Sequence, residues 1–374
     1  ASAGAAPGGV GFVQPIAGLG TGAGQDPRAQ ITGSLTGASD TDSFAVPLRA
    51  GDVLGVSVQG GANHLELRDP GNVLREGSSS DRSVSYPTSS PLPGGGNATL
   101  DHVAAVTGTH VLTISGGTGQ YQATVAIFHQ NSAPQRIYLE FRGASVNTTI
   151  FGVDSGGTQP RTMTPLAAFL PQWGLSSADE PALIQAITQT VSANLGATGG
   201  PVRVDNSSTN PDEFGQPNVS RLVIGGTQQE AGIDTVGISQ SVDPGNFARE
   251  ETALVLLDTL AAPSSNPASL NHFIGAGSDR MRFVGHAIGD IASHEAGHFL
   301  GSWHTDPDNG THDIMDSGDL AGAYGYGPDG IGGTADDTTP RFGQDVFNPS
   351  EGYTGLEDTR ARTATGLGGA AAAG

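Results

Sequence analysis

The stretch HEAGHFLGSWH contains three histidines spaced as metal ligands often are. His294 and His298 are four residues apart, so a helix would project both imidazoles from one face. Gly301 permits the left-handed backbone that ends such a helix, and the chain after it can bring His304 back to the same place. Three nitrogen ligands and an open position for water are the set that a catalytic Zn²⁺ ion uses. The sequence therefore predicts a zinc site at these three histidines.

Glu295 is the residue in this stretch whose chemistry would use the metal. A helix turns by about 100° per residue, so its carboxylate would lie beside an ion held by His294. There it can take a proton from a zinc-activated water as general base. The alternative is a buried, histidine-bearing helix that holds no metal.

The pattern HExxHxxGxxH resembles the signature of the metzincin clan of zinc endopeptidases. Metzincins also place a methionine in a tight turn beneath the metal, and Met315 in DIMD (313–316) stands where that Met-turn is expected. The resemblance implies a secreted zinc metalloendopeptidase that hydrolyses peptide bonds. It further implies that the region of DTVGIS (234–239) and TALVLLD (252–258) supplies an edge strand for extended substrate.

Some metzincins carry a tyrosine two residues after the methionine, where it binds the transition-state oxyanion. This chain has Ser317 at that position. Tyr324 and Tyr326 are the alternatives for that role, and a structural role is the competing interpretation of both.

The second half of the chain has the periodicity of an α+β domain with a mixed twisted sheet and an active-site helix. Apolar residues at helical spacing predict helices over 178–196 and about 284–300. Short apolar runs between turn residues predict strands, and from Gly301 onward the sequence is loop-like. The predicted strands are RIYLEF (136–141), PVRVD (201–205), VSRLVIGG (219–226), DTVGIS and TALVLLD.

The first half alternates apolar and polar residues with period two, which predicts an all-β sandwich. The predicted strands are SFAVPL (43–48), DVLGVSV (52–58), HLELRD (64–69), THVLTIS (109–115) and YQATVAIF (121–128). Their order resembles the bacterial pre-peptidase C-terminal domain, a jelly-roll-like module of secreted peptidases. Such modules usually follow the catalytic domain, whereas this one precedes it.

The composition changes along the chain predict two domains and three connecting or terminal segments. A flexible, Gly/Ala-rich N-terminal tail (1–30) precedes the β-sandwich accessory domain (31–130). A linker (131–135) leads to the metzincin-like catalytic domain (136–362), and a Gly/Ala-rich tail (363–374) ends the chain.

Two acidic loops, TDPDNGTHD (305–313) and GPDGIGGTADD (327–337), have the oxygen ligands and sharp glycine turns of structural Ca²⁺ sites. Asx turns explain such strings equally well, so calcium and plain turns are both open interpretations. The candidate calcium ligands are Asp306, Asp308, Asn309, Asp313, Asp329, Asp336 and Asp337.

Composition limits the classes of partner. The 374 residues include 37 acidic and 16 basic side chains, and a net charge of −21 disfavours nucleic acid. Cysteine is absent, which excludes disulfides and thiolate ligands. No run approaches the ~20 apolar residues of a membrane span. The expected partner is a protein or peptide substrate, with a cell-surface or extracellular matrix component as a candidate for the β-sandwich.

The start at Ala1, without a methionine, indicates a secreted product whose signal peptide has been removed, or a shortened chain. Export without disulfides favours a bacterial protein. A rival hypothesis is a latent or non-catalytic metzincin-like surface, adhesion or assembly protein. It is motivated by the 58 glycines and the low-complexity ends of the sequence.

Overall fold

The computed structural model describes residues 2–3, 13–16, 19, 26–129, 133–153 and 160–369. Over these residues the chain forms a mixed, β-rich α+β fold with several sheets. The predicted linker positions 131–132 and the end of the predicted C-terminal tail, 370–374, lie outside the described residues.

Ten strands come from the first 128 residues and ten from the remainder of the described chain. The first ten are β1 (Ser2–Ala3), β2 (Val13–Pro15), β3 (Arg28–Leu35), β4 (Asp42–Leu48), β5 (Val53–Gly60), β6 (His64–Arg68), β7 (Leu74–Ser78), β8 (Ala98–Val103), β9 (Gly108–Ser115) and β10 (Gly119–Phe128). The others are β11 (Arg136–Glu140), β12 (Ser145–Val146), β13 (Arg161–Thr162), β14 (Arg203–Asn206), β15 (Val219–Ile224), β16 (Gly237–Ser239), β17 (Thr252–Val255), β18 (Gln344–Val346), β19 (Tyr353–Thr354) and β20 (Leu356–Asp358).

The α-helices are α1 (Glu180–Gly196), α2 (Gln228–Ala231), α3 (Leu270–Phe273), α4 (Arg280–Phe299), α5 (Leu320–Tyr324) and α6 (Thr359–Gly366). Short 3₁₀ helices cover Ser83–Ser85, Thr148–Phe151, Leu166–Trp173 and Pro349–Glu351. None of the helices in the described part of the chain has both the length and the apolar character that crossing a bilayer requires.

The strands up to β10 form two sheets that share one apolar core. One sheet has the order β1-β3-β10-β5-β8 and the other β19-β7-β6-β9-β4-β2. Along β3 buried and exposed residues alternate strictly, because one face of the sheet covers the core and the other faces away from it. The five strands predicted in this half are confirmed as β4, β5, β6, β9 and β10.

A third sheet, of order β14-β11-β15-β17-β16, is parallel except at β16. Its central strands are buried on both faces, since Leu222 packs towards α1 and α4 while Val223 packs into a second apolar cluster. Such strands read as continuous apolar runs, as VSRLVIGG does. The strands and the two long helices predicted for this region are confirmed.

Helix α4 lies close against α1 because glycines form its contact face. Gly285 and Gly289 are buried, and a Cβ at either would collide with Ala186 or Thr190 of α1. Asp279 begins α4, since its carboxylate accepts a hydrogen bond from the Arg282 N–H. The tight packing fixes the axis of the helix that carries the predicted metal ligands.

Elements of regular structure lie inside both of the predicted tails, although residues 1, 4–12, 17–18 and 20–25 of the N-terminal one lie outside the described residues. Strands β1 and β2 lie inside the predicted N-terminal tail and pair with β3 and β4. At the other end α6 continues to Gly366, past the predicted end of the catalytic domain at 362, and the segment after Gly301 contains α5, α6 and three short strands. Backbone pairing and tertiary burial form these elements, and neither leaves a clear periodicity in the sequence.

A buried ionic cluster joins the N-terminal sheets to the rest of the molecule. The Arg362 guanidinium on α6 lies within ion-pair distance of Glu76 of β7, Asp101 of β8 and Glu357 of β20, and all four side chains are at most 2% exposed. Strand β19 also adds to the N-terminal sheet by pairing with β7. Contacts therefore cross the predicted domain boundary extensively.

We predict that Arg362→Met strongly destabilises the protein. The change leaves three carboxyl groups buried without their cation, and breaking a buried ion pair costs about 3–5 kcal/mol in the free energy of unfolding. Urea denaturation measures this loss. Arg68→Met, at a half-exposed arginine on β6, is the matched control and should change stability by about 1 kcal/mol or less. Equal effects of the two substitutions would contradict the assignment.

The same cluster predicts a pH dependence of stability. Burial raises the pKa of Glu357 to about 8, so the folded chain keeps a proton that the unfolded chain releases above its ordinary pKa of about 4.5. Folding is therefore disfavoured as the pH rises through that interval. Since glutamine imitates the protonated carboxyl, Glu357→Gln should gain thermal stability relative to the parent from about pH 5 to about pH 8. A difference in unfolding midpoint that stays constant with pH would refute this.

Candidate metal centre

Helix α4 and the turn that follows it bring the three predicted histidine ligands together. His294 and His298 lie on successive turns of α4, and Gly301 reverses the chain with a φ of +107°. At Gly301 a side chain would also collide with the backbone of Pro244. The ligand atoms of His294, His298 and His304 all lie within 4.8 Å of one another. The sequence-predicted constellation is thus formed in space.

Each of these imidazoles is oriented through its Nδ1 atom. His294 Nδ1 lies 2.7 Å from the Ile314 carbonyl, and His298 Nδ1 lies 3.0 Å from the Ser302 carbonyl. A carbonyl only accepts, so both Nδ1 atoms carry the proton and donate it. Their Nε2 atoms therefore present lone pairs, which is the form in which histidine binds a metal.

The third imidazole is oriented by a carboxylate. His304 Nδ1 lies 2.5 Å from Glu351 Oε1, at the end of the 3₁₀ helix Pro349–Glu351. A carboxylate behind a histidine ligand fixes its tautomer and makes its other nitrogen a better electron donor. The sequence analysis missed Glu351, because its contact with His304 depends on tertiary structure and has no local sequence signal.

The chemistry of this donor set fits a divalent metal ion. His298 Nε2 and His304 Nε2 face each other at 3.1 Å. Two lone pairs repel at that distance unless a cation lies between them, and two nitrogens around a tetrahedral zinc ion are about 3.3 Å apart. Burial lowers the pKa of His294 to about 3 and holds the pKa of His298 well below its usual value. Both rings are thereby kept neutral and able to act as ligands.

Glu295 lies between α4 and the edge strand β16. It is 5% exposed, and a Cβ at Gly237 of β16 would collide with its carboxylate. Only glycine at 237 lets the carboxylate approach the strand so closely. Burial raises the pKa of Glu295 to about 8. A carboxyl group with a pKa near neutrality can both accept and return a proton.

Met315 lies in the tight turn that the sequence predicts beneath the metal site. Its side chain is fully buried against Gly297 of α4, where a Cβ would collide with the sulfur. Its N–H donates to the buried Asp313 carboxylate at 2.9 Å, and its carbonyl accepts from the Thr305 N–H at 3.0 Å. The turn is thus hydrogen-bonded to the residue that follows His304.

Asp313, one of the candidate calcium ligands, has a structural role in this turn. Besides Met315, it accepts hydrogen bonds from Thr359 and from the Gly343 N–H. Burial raises its pKa to about 7. These bonds tie the Met315 turn to α6.

The other candidate calcium ligands occupy turns. Asp306, Asn309 and Asp329 each accept a hydrogen bond from the N–H two residues later, as Asx turns do. Asp336 and Asp337 accept from Thr334, and Asp308 is itself the donor to Asp306. No three of the candidate aspartates form a metal-binding group among the described residues. Calcium binding at these loops stays a prediction.

A second group that could hold a metal consists of His312, Asp316 and Asp319. Its carboxylates already have partners in the protein. Asp319 caps α5 and pairs with the exposed His312 at 3.0 Å, and Asp316 accepts a hydrogen bond from Thr305. These bonds explain the group without an ion.

The tyrosines considered for the oxyanion have other partners. The Tyr324 hydroxyl donates to the Ala268 carbonyl at 2.7 Å, and Tyr326 stacks on Phe273 with ring centroids 4.1 Å apart. Tyr324 contributes to the cleft wall, as does Ser317 at the position two residues after the methionine. The structural interpretation of both tyrosines accounts for these contacts.

The histidines open into a cleft of about 940 Å³. Helix α4 forms its floor, β16 and the segment up to Val242 form one wall, and the chain from Asp316 to Tyr324 forms another. Arg82 and residues 84–88, between β7 and β8, line the cleft from the N-terminal sheets. A cleft of this size accommodates a chain of several amino acids.

Comparisons with known proteins reach only part of this chain. No protein-family model matches it, and no curated protein matches it. It is similar to PliG of Aeromonas hydrophila, a periplasmic inhibitor of g-type lysozyme, at 18% identity over 34% of this chain and 100% of that one, with a TM-score of 0.22. It is also similar to the pre-peptidase C-terminal domain of a Bacillus anthracis collagenase, at 20% identity over 26% and 86% of the two chains, with a TM-score of 0.19. Scores this low support no argument about fold or function.

We predict that Glu351→Ala weakens zinc binding. Removing the carboxylate behind a histidine ligand typically lowers metal affinity about 10–100-fold. Competition with a chromogenic zinc chelator measures the affinity of the metal-free protein. Glu180→Ala, in the first turn of α1, is the control and should bind zinc as the parent does. An unchanged affinity in Glu351→Ala would show that His304 does not depend on this carboxylate.

Proposed function

We propose that this chain is a zinc-dependent endopeptidase that hydrolyses peptide bonds. The observation that carries the proposal is the convergence of one nitrogen from each of three imidazoles in a cleft, with a buried glutamate one residue after the first histidine. His294, His298 and His304 would hold the ion, and Glu295 would be the catalytic base.

When bound, a zinc ion held by the three histidines would polarise the scissile carbonyl and lower the pKa of a water molecule beside Glu295. The Glu295 carboxylate accepts the proton of the attacking water and then delivers it to the leaving amine. The close approach at Gly237 keeps this carboxylate beside the edge strand while it acts.

The edge strand supports an extended peptide as the substrate. Strand β16 pairs with β17 on one side, is the last strand of its sheet, and lies in the cleft wall. An unpaired strand edge can hydrogen-bond the backbone of a peptide laid alongside it. Main-chain recognition of this kind suits a peptidase better than an enzyme of small esters or amides.

The proposal includes a metzincin-like zincin domain, preceded by a jelly-roll-like sandwich of the pre-peptidase C-terminal type. The Met315 turn beneath α4 and the mixed sheet with its antiparallel edge strand support the first part. The shared core of the two N-terminal sheets supports the second. Secretion from a bacterial cell and structural calcium belong to the same proposal.

We predict that Glu295→Gln abolishes peptide cleavage while folding and zinc content stay unchanged. The amide fits the same space but cannot accept the proton, so the rate should fall by about 10²–10⁴-fold. A quenched casein substrate, assayed with and without a chelator, reports the activity of the zinc-loaded protein. Glu180→Gln is the control and should retain full activity.

Two outcomes would change the proposal. Full activity in Glu295→Gln would remove this residue from the chemistry. A parent protein that holds one zinc ion per chain but cleaves no unfolded substrate would favour the rival hypothesis of a latent or non-catalytic surface, adhesion or assembly protein.

A further inference from the structure

Residues 82–88 bring the N-terminal sheets into the cleft. Arg82, Val84 and Tyr86 of this segment line the same cavity as the three histidines. Val84 lies in the 3₁₀ helix Ser83–Ser85 and is 86% exposed. A large apolar side chain that projects so far from a wall is available for contact with a bound chain.

Hydrogen bonds and ring packing hold this segment in place. The Ser85 carbonyl accepts from the Val242 N–H at 2.8 Å, three residues beyond the end of β16. The Tyr86 hydroxyl donates to Asp101 at 2.8 Å, and its ring packs against Trp303 with centroids 6.5 Å apart. Trp303 immediately precedes His304, so the segment has a fixed position relative to the third ligand.

Arg82 is the only lysine or arginine among the described residues that line the cleft. Three of the carboxylates that share this lining have partners of their own. Glu351 contacts His304, Asp319 contacts His312, and Asp290 accepts from Asn194. Within the described residues no acidic group lies within ion-pair distance of Arg82, and its buried Nε has no hydrogen-bond partner.

The position of the Arg82 guanidinium is set by neighbours close to the third ligand. It lies over the Tyr353 ring, 5.8 Å from the centroid. At Gly352, where φ is +83°, a Cβ would come within 3.0 Å of the Arg82 Nη2 atom. Gly352 directly follows Glu351, whose carboxylate orients His304. The guanidinium is therefore on the His304 side of the histidine cluster.

We propose that Arg82 is a specificity-determining residue that selects peptides with an aspartate or glutamate side chain on the His304 side of the bound chain. The inference rests on the proposed function, because it assumes that a peptide occupies the cleft. A guanidinium without an acidic partner in the protein offers its donors to a carboxylate of the ligand. The whole protein has a net charge of −21, so a cation in the cleft has the opposite sign to the protein as a whole. Arg82 therefore discriminates between substrates by the charge of their side chains.

The test separates peptide recognition from turnover. The probes are pairs of fluorescein-labelled peptides. The two peptides of a pair differ at one position only, which is glutamate in one and glutamine in the other, and each pair tests a different position. Zinc-loaded Glu295→Gln protein is titrated into each peptide, and the fluorescence anisotropy gives the affinity. At one position the glutamate peptide should bind roughly three- to tenfold more tightly, with a preference that shrinks as salt is added. When Arg82→Gln is combined with Glu295→Gln, the preference for glutamate should disappear. When Arg82→Glu is combined with Glu295→Gln, the protein should prefer lysine at that position. Arg68→Gln, outside the cleft, should leave the preference for glutamate intact.

The results distinguish failure of this inference from failure of the proposed function. Binding without a glutamate preference at any position, or a preference that survives Arg82→Gln, overturns the role of Arg82 even if the parent protein cleaves casein. Conversely, a preference that Arg82→Gln removes supports the role even if the parent cleaves nothing. Absence of binding by every peptide overturns it as well.

Discussion

The buried guanidinium of Arg362 is the contact on which the arrangement of the molecule depends. It pairs with Glu76 and Asp101 of the N-terminal sheets and with Glu357, which in turn accepts a hydrogen bond from the Trp303 N–H. A charged group that is removed from water is stable only while it is paired with an opposite charge. The segments that carry these four side chains are therefore expected to keep their relative positions, or to come apart at the same time. Because Trp303 precedes His304, the third ligand of the candidate metal centre is held partly by the N-terminal sheets.

The candidate metal centre depends on how the three histidine rings are oriented as well as on their number. Two backbone carbonyls and one carboxylate occupy the Nδ1 atoms, and this leaves the Nε2 atoms to converge. The carbonyl acceptors Ile314 and Ser302 come from the Met315 turn and from the turn after α4. The buried methionine therefore acts through geometry, because it holds the turn whose carbonyl orients His294. Ile314 and Glu351 lie outside the histidine motif, whereas Ser302 lies within it.

The sequence predicted the elements whose signals are local. The spacing in HEAGHFLGSWH follows the helical repeat, so it predicted both α4 and the convergence of three ligands. Glu351 was missed because it lies 47 residues from His304 in the sequence and contacts it only in the folded structure. Helix α6 was missed because TRARTATG has no apolar face of its own and is buried by tertiary contacts. Such contacts join positions far apart in the sequence, which periodicity cannot reveal.

The contacts between the two halves of the chain make the N-terminal half part of the cleft. A module that merely tethers an enzyme to a surface needs a linker and no share in the cleft. Here the segment containing Tyr86 lines the cleft, hydrogen-bonds the chain beyond the edge strand, and is connected through Asp101 to the Arg362 cluster. The same contacts that stabilise the fold therefore set the shape of one cleft wall. A change that loosened the N-terminal sheets would alter the shape of the cleft and the position of His304 before it altered His294 and His298, because α4 is packed separately against α1.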